Sequence, residues 1–282
     1  MATAGDARII RYSDLEPSWH LLQAKEPGHL RWIMNWVGGG AGYINSNPDN
    51  SAISERYVVG LMGLQMGNRQ PGIHTHSVTE IYVVLSGELE GVDASGALHR
   101  AGPLDCMYTP AGVPHGVRSC GNEDASFVWL HDRLEKKGTS VYSEITTSKQ
   151  ALGGICVVRH KDLEPSWNGT HAKEAGTMRW TTSFVVGGAT ARAARKSILS
   201  ERIALGMLVL PPGNRQPVEE HSFATTYISL GFGLVSNCGN KATPLERLDA
   251  VYVPAGAAHS LRNAGEAAAF VLWANDQPTG FD

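Results

Sequence analysis

The chain has 282 residues, enough for two domains of roughly 140 residues that each bury a core. Its 24 Lys and Arg against 27 Asp and Glu give a net charge of -3, and no stretch concentrates the positive charge that a phosphate backbone or an anionic membrane surface demands, so nucleic acid is not an expected partner. Hydrophobic residues make up 42% and charged residues 18%, with 32 Gly and 14 Pro, the profile of a turn-rich globular protein rather than a disordered or fibrous one.

The longest apolar runs, Tyr57 to Leu64 and Ile203 to Pro212, are too short to cross about 30 Å of hydrocarbon, so no membrane partner is expected either. The opening MATAGDARII lacks a basic segment followed by an apolar core, which makes the cytoplasm the expected location. Cys106, Cys120, Cys156 and Cys238 form no C-x-x-C pair and are expected as free, mostly buried thiols.

Along the chain the sequence repeats itself. RYSDLEPSW at Arg11 to Trp19 returns as RHKDLEPSW at Arg159 to Trp167, 148 residues on; GNRQP at Gly67 returns at Gly213, 146 on; LDCMYTPAGVPH at Leu104 returns as LDAVYVPAGAAH at Leu248, 144 on. Small loop insertions and deletions account for the drift, and two copies of one fold follow. Within the first copy Arg56 to Leu64, Glu80 to Leu85, Cys106 to Thr109 and Ser126 to His131 are short, rich in β-branched and aromatic residues and bounded by Gly and Pro, which predicts strands. Thr139 to Leu152 is expected to connect the copies as a short helix or extended arm, with the domains at 1–145 and 146–282. Many short strands per copy predict an all-β jelly roll or related barrel.

The chemistry lies in GNRQPGIHTHSVTEIYVVLSG, residues 67–87. Residues i and i+2 of extended chain share a face, so His74 and His76 project together. Glu80 follows across a tight bend, with Tyr82 and Val84 on its face, and His115 in PAGVPH is the natural fourth ligand, delivered by a turn containing Pro110, Gly112 and Pro114. His131 ends FVWLH on the face of Phe127 and Trp129, where packing is the expected role. His20, His29, His99, His160 and His171 are expected as solvated loop residues. Arg69, Gln70, Tyr82, Tyr108 and Trp129 lie near the ligands in sequence; the first four recur in the second copy as Arg215, Gln216, Tyr227 and Tyr252, which favours structural duty for Arg69, Gln70 and Tyr108. Cys106, replaced by Ala250, is expected as a small buried hydrophobe.

These motifs resemble those of a bicupin. The first cupin motif, G-x5-H-x-H-x3,4-E-x6-G, is met at His74, His76, Glu80 and Gly87, with its initial Gly displaced to Gly67. The second, G-x5-P-x-G-x2-H-x3-N, is met at Pro110, Gly112 and His115, with Gly102 two residues early and Ser119 in place of Asn. The resemblance implies two tandem cupin barrels, also called double-stranded β-helices, and one divalent transition metal held by His74, His76, Glu80 and His115. Fe(II) is favoured, with Mn(II), Ni(II), Co(II) or Zn(II) also compatible. In the second copy Glu219 stands opposite His74 and Thr225 opposite Glu80, with His221 and His259 kept. That barrel is expected to serve packing, although Glu219, His221 and His259 remain a chemically feasible metal set.

The function expected from the resemblance is a metal-dependent dioxygenase that oxidises or cleaves a small aromatic, enol or diketone substrate with O2, with Glu80 and Tyr82 as catalytic residues. The alternative is a non-oxidative decarboxylase, lyase, cyclase or isomerase at the same site. Exposed strand edges leave room for a homodimer.

Overall fold

The computed structural model describes residues 6–40, 45–134, 154–187 and 196–276. The first copy contributes β2 (Arg31–Gly39), β3 (Ala52–Ser54), β4 (Val58–Leu64), β5 (Glu80–Ser86), β6 (Leu89–Asp93), β7 (Leu98–Ala101), β8 (Cys106–Thr109), β9 (His115–Ser119) and β10 (Ala125–His131), preceded by β1 (Arg8–Ile10). The second copy contributes β11 (Cys156–Val158), β12 (Trp180–Val186), β13 (Ile198–Leu199), β14 (Ala204–Leu210), β15 (Thr225–Ser229), β16 (Leu234–Cys238), β17 (Lys241–Leu245), β18 (Ala250–Val253), β19 (His259–Asn263) and β20 (Ala269–Asn275). Only two short 3-10 turns, Tyr12–Asp14 and His160–Asp162, interrupt this all-β pattern among the described residues. The four strands expected from the first copy appear as β4, β5, β8 and β10.

The chain forms two compact units. One spans Leu15–Lys161 and pairs a seven-stranded sheet, β11-β8-β5-β10-β4-β2-β3, with a three-stranded sheet, β7-β6-β9. The other joins Met1–Asp14 to Asp162–Asp282 and repeats that layout as β1-β18-β15-β20-β14-β12-β13 with β17-β16-β19. The expected boundary between residues 145 and 146, and the expected connector at 139–152, lie outside the described residues. The two units divide the chain differently from that expectation: β1 completes the second unit, pairing Ile9 with Val251, and β11 completes the first, pairing Val157 with Met107.

Each unit has its own core. In the first, Tyr82 and Val84 of β5 oppose Trp129 and Phe127 of β10, and these four pack with Ile33, Met62, Leu89 and Val117. Alternation along the strands sends these residues inward, and the same register sets Glu80 opposite His131 at the rim. Gly87 closes the turn after β5 with φ 68°, and a Cβ there would lie 2.7 Å from the Asp124 carbonyl, so only glycine fits. At the motif position where a cupin glycine is displaced, Leu104 itself adopts φ 67°, as its counterpart Leu248 does at 69°. The backbone shape of the motif is therefore kept while a leucine bears the left-handed strain, about 1 kcal/mol. All four cysteines are free, but only Cys106 is buried, contrary to the expectation of mostly buried thiols.

Candidate metal centre

His74 and His115 are joined by the backbone: each N–H donates to the other's carbonyl at 2.9 Å. The loop ahead of β5 is thus fastened to the first residue of β9. Gly112, at φ 79°, donates its N–H to the His76 carbonyl at 2.9 Å, tying the turn that delivers His115 to the loop that delivers His76. Glu80 begins β5, and His131 ends β10 directly across from it.

These placements bring His74, His76, Glu80 and His115 together, all buried, with ligand atoms within 4.8 Å of one another. Glu80 Oε2 lies 2.7 Å from His115 Nε2, 3.3 Å from His76 Nε2 and 3.9 Å from His74 Nε2. The other imidazole nitrogens reveal the tautomers. His76 Nδ1 lies 2.8 Å from the Val78 carbonyl and His115 Nδ1 lies 2.8 Å from the Val113 carbonyl. A carbonyl can only accept, so both Nδ1 atoms carry hydrogen and, in the neutral ring, both Nε2 lone pairs point at the Glu80 carboxylate. Lone pairs facing lone pairs at these distances call for a positive charge between them. The donor set, three imidazole nitrogens and one carboxylate oxygen, fits a divalent transition metal.

Electrostatics agree with that fit. Burial pushes the Glu80 carboxyl up, but His115, His131, His74 and His76, each able to donate to it when the facing ring nitrogen carries the proton, outweigh burial and hold its pKa well below the ordinary carboxylate value. Burial, helped by the neighbouring His115 and His76 and opposed by Glu80, lowers the His74 pKa. Glu80 is therefore ready as an ionised carboxylate and His74 as a neutral imidazole near neutral pH.

His131 has more than a packing role, contrary to expectation: its Nε2 lies 3.2 Å from Glu80 Oε1, holding the carboxylate oxygen that does not face the other three histidines. The alternation of FVWLH assigned its face but carried no sign of this distance. Tyr82 lies deeper on the same face, its hydroxyl accepting from Gln70 Nε2 at 3.3 Å and its ring 4.8 Å from Phe127. Gln70 Oε1 in turn accepts from the Val117 N–H at 3.2 Å, so Gln70 braces the interior. Trp129 packs edge-on 5.3 Å from His131. Tyr108 and Cys106 pair with Ile81 and Val83, which puts them on the opposite face of the sheet from Glu80. Arg69 is exposed. Neither Tyr108, Cys106 nor Arg69 enters the centre. His99, expected in a loop, sits in β7 and meets Asp93 at 2.9 Å.

The second barrel keeps the frame and changes the donors. Glu219 and His259 exchange backbone hydrogen bonds as His74 and His115 do, and Thr225 opposes Asn275 where Glu80 opposes His131. Glu219, His221 and His259 lie within metal-binding reach of one another. However, His259 Nδ1 meets the Ala257 carbonyl at 3.0 Å and its Nε2 meets the Tyr227 hydroxyl at 3.0 Å. The Tyr227 O–H therefore donates to the lone pair that a metal would need.

The fold and the first site together define a two-barrel β protein with a buried three-His, one-Glu centre in its N-terminal barrel. Residues 60–131 match the family model of the Cupin domain. No curated protein matches the sequence. Among solved structures the chain resembles the E. coli protein Ylba (14% identity, TM-score 0.65, 100% of this chain and 95% of that one). It also resembles oxalate decarboxylase from Lactobacillus farciminis, solved as a formate complex (13% identity, TM-score 0.64, 99% and 88%), and AerE from Microcystis aeruginosa (15% identity, TM-score 0.60, 95% and 97%). At these identities the likeness is one of fold. The chain has a bicupin fold, within which residues 60–131 match the Cupin domain model.

Proposed function

We propose that the chain is a metal-dependent enzyme whose working centre is His74, His76, Glu80 and His115, and that it oxidises or cleaves a small oxygenated organic substrate with O2. The observation that carries this reading is the inward-facing lone pairs of His76 and His115 on a buried, ionised Glu80. A divalent metal held there would supply open coordination positions, with electron transfer to O2 if it is redox-active and Lewis acidity if it is not. The protein supplies the rest. His131 holds Glu80 Oε1, so the carboxylate is oriented before substrate arrives, and Glu80 is assigned the base. Tyr82, at the buried floor beside Phe127, is assigned a hydrogen-bonding role toward substrate, while the apolar wall of Val84, Phe127 and Trp129 excludes water and strengthens local electrostatics.

One observation favours a second, non-oxidative reading, a decarboxylase, lyase, cyclase or isomerase: the full-length likeness of fold to oxalate decarboxylase. A single experiment separates the two. The protein is loaded in turn with Fe(II), Mn(II) and Zn(II) and offered enols, diketones, catechol-type aromatics and dicarboxylates, with O2 consumption and product followed together. Substrate-dependent O2 uptake that stops under argon supports the oxygenase. Equal turnover with and without O2 replaces it with the second reading, and a protein that retains no metal overturns both.

A further inference from the structure

The second barrel holds a cavity of about 300 Å³ that the first site does not use. Two of the positions at which its walls differ from the first barrel make room: Gly169 stands for Leu21 and Thr181 for Ile33. The alignment is fixed by matching bridges, Ser18 with Ile33 and Ser166 with Thr181. Ile33 belongs to the first core and Leu21 packs against it. Two large apolar side chains have thus been exchanged for a hydrogen atom and a smaller, hydroxyl-bearing side chain, and both replacements line the cavity.

Its polar lining is asymmetric. Gln216 is 5% exposed; its amide N–H donates to the Tyr227 hydroxyl, which passes its own proton to His259. That chain fixes which end of the amide is which, and leaves the buried Gln216 Oε1 with no hydrogen-bond partner among the described residues. The first barrel satisfies the same atom of Gln70 from Val117. Glu219 adds a carboxylate with only long contacts, 3.4 Å to Arg179 Nη2 and 3.5 Å to His221 Nε2. Glu219 is therefore an acceptor at the cavity in want of closer donors, and Gln216 Oε1 is an unpaired acceptor in its wall that a ligand reaches with a small shift of the side chain. Arg179 balances the charge of Glu219, and the other lining carboxylate, Glu220, is exposed and screened by solvent, so a charged ligand gains little. Flat walls complete it: Phe223 stacked on His221 at 4.7 Å and 7°, and Trp180 backed by Trp167.

From this geometry we infer that the C-terminal barrel is a metal-independent binding site for a small neutral molecule whose hydroxyl or amide groups donate hydrogen bonds to Gln216 and Glu219. The volume suits such a molecule, at the lower end of the roughly 300–1,000 Å³ of ligand pockets. The inference is independent of the reaction assigned to the first barrel.

The test titrates the full-length, metal-loaded protein with myo-inositol and D-glucose as polyols, urea and acetamide as amides, and acetate and ethylammonium as charged controls, by ligand-observed NMR and calorimetry. At least one neutral probe binds, and the stronger arm identifies polyol or amide; the charged probes bind at least about tenfold more weakly, since neither sign is favoured. EDTA leaves the affinity unchanged. Thr181→Ile, which restores the first-barrel residue, weakens binding at least about tenfold by filling the space, with metal content and melting temperature unaltered. Phe223→Ala, at a half-buried wall position, is the second variant should Thr181→Ile misfold, and it also weakens binding. The inference is overturned if no neutral probe binds, if acetate or ethylammonium binds best, if chelation abolishes binding, or if the folded variants bind as tightly as the parent.

Discussion

Glu80 faces four histidines, and the consequences of removing them differ residue by residue. His76→Ala removes a donor from the centre and is expected to weaken metal binding by more than about 100-fold and abolish turnover, whereas His221→Ala leaves both within about twofold. Competition against a chromophoric chelator measures the first and a turnover assay the second. His131→Asn, the residue found at position 275, frees Glu80 Oε1 without touching the four donors; a loss of about tenfold in metal affinity is expected from the misoriented carboxylate. The pH response has a definite sign. His74 and Glu80 both titrate lower in the folded chain than their ordinary values, so the unfolded state binds more protons, and stability is full above those values and lost as pH falls. Metal-free protein is expected to lose melting temperature on acidification, first as His74, with His160 and His259, takes up protons from pH about 6.5 downward, and then as Glu80, with Glu90 and Asp93, does so below about 4.5; His74→Gln should reduce the first loss and Glu80→Gln the second. Three of the four donors were legible in the sequence because their spacing is local, two on one extended segment and one across a bend, and His115 was legible from its Pro- and Gly-bearing turn and the motif that turn resembles. His131 was not, because alternation gives a face while the contact to Glu80 depends on the β5 to β10 register, and that register is a tertiary property.

The strands expected from the sequence are those with unbroken apolar alternation on both sides of the core, β4, β5, β8 and β10. The three-stranded sheets escaped it: β7 and β17 are mostly exposed and carry mixed patterns that a loop could share. The edge strands escaped for another reason. Arg8–Ile10 is a plausible strand anywhere, and nothing near it names β18 as its partner. Its attachment is nonetheless specific, since Arg11 Nη1 meets Asp249 Oδ2 at 2.6 Å and the Tyr12 N–H donates to Asp249 Oδ1 at 2.8 Å. The first unit repeats the device with Arg159 and Asp105 at 2.5 Å. Arg11→Ala is expected to cost about 1 kcal/mol in urea unfolding of the second unit, because its side chain is 35% exposed and partly screened. Deleting residues 1–11 also strips β18 of its β1 neighbour, leaving β15 on its other side, and costs more, while metal affinity stays unchanged. A truncation that released the metal would contradict the placement of the working centre in residues 15–161.

Two units with separate cores and unequal donor sets set the behaviour of the whole chain. Elemental analysis of the purified protein is expected to give one tightly bound metal per chain, and saturating metal should raise only the thermal transition of the unit that holds it, by RT ln(1 + [L]/Kd). A value near two metals, or two transitions raised alike, would move the Tyr227 proton off His259 and reopen the second centre. The duplicated fold was legible at this scale because repeats 144 to 148 residues apart survive in the sequence; the discontinuity of the second unit was not, since repeat boundaries mark copies of a gene segment and not the sheets those segments join. That discontinuity also orders the birth of the molecule. A ribosome releases residues 15–161 as a complete unit while the second is still unmade, and Ile9 must wait for Val251, 242 residues later, before its strand has a neighbour. During synthesis the N-terminal strand is therefore an unpaired edge in search of backbone, and the first barrel can already bring its four donors together before the last sheet of the protein exists.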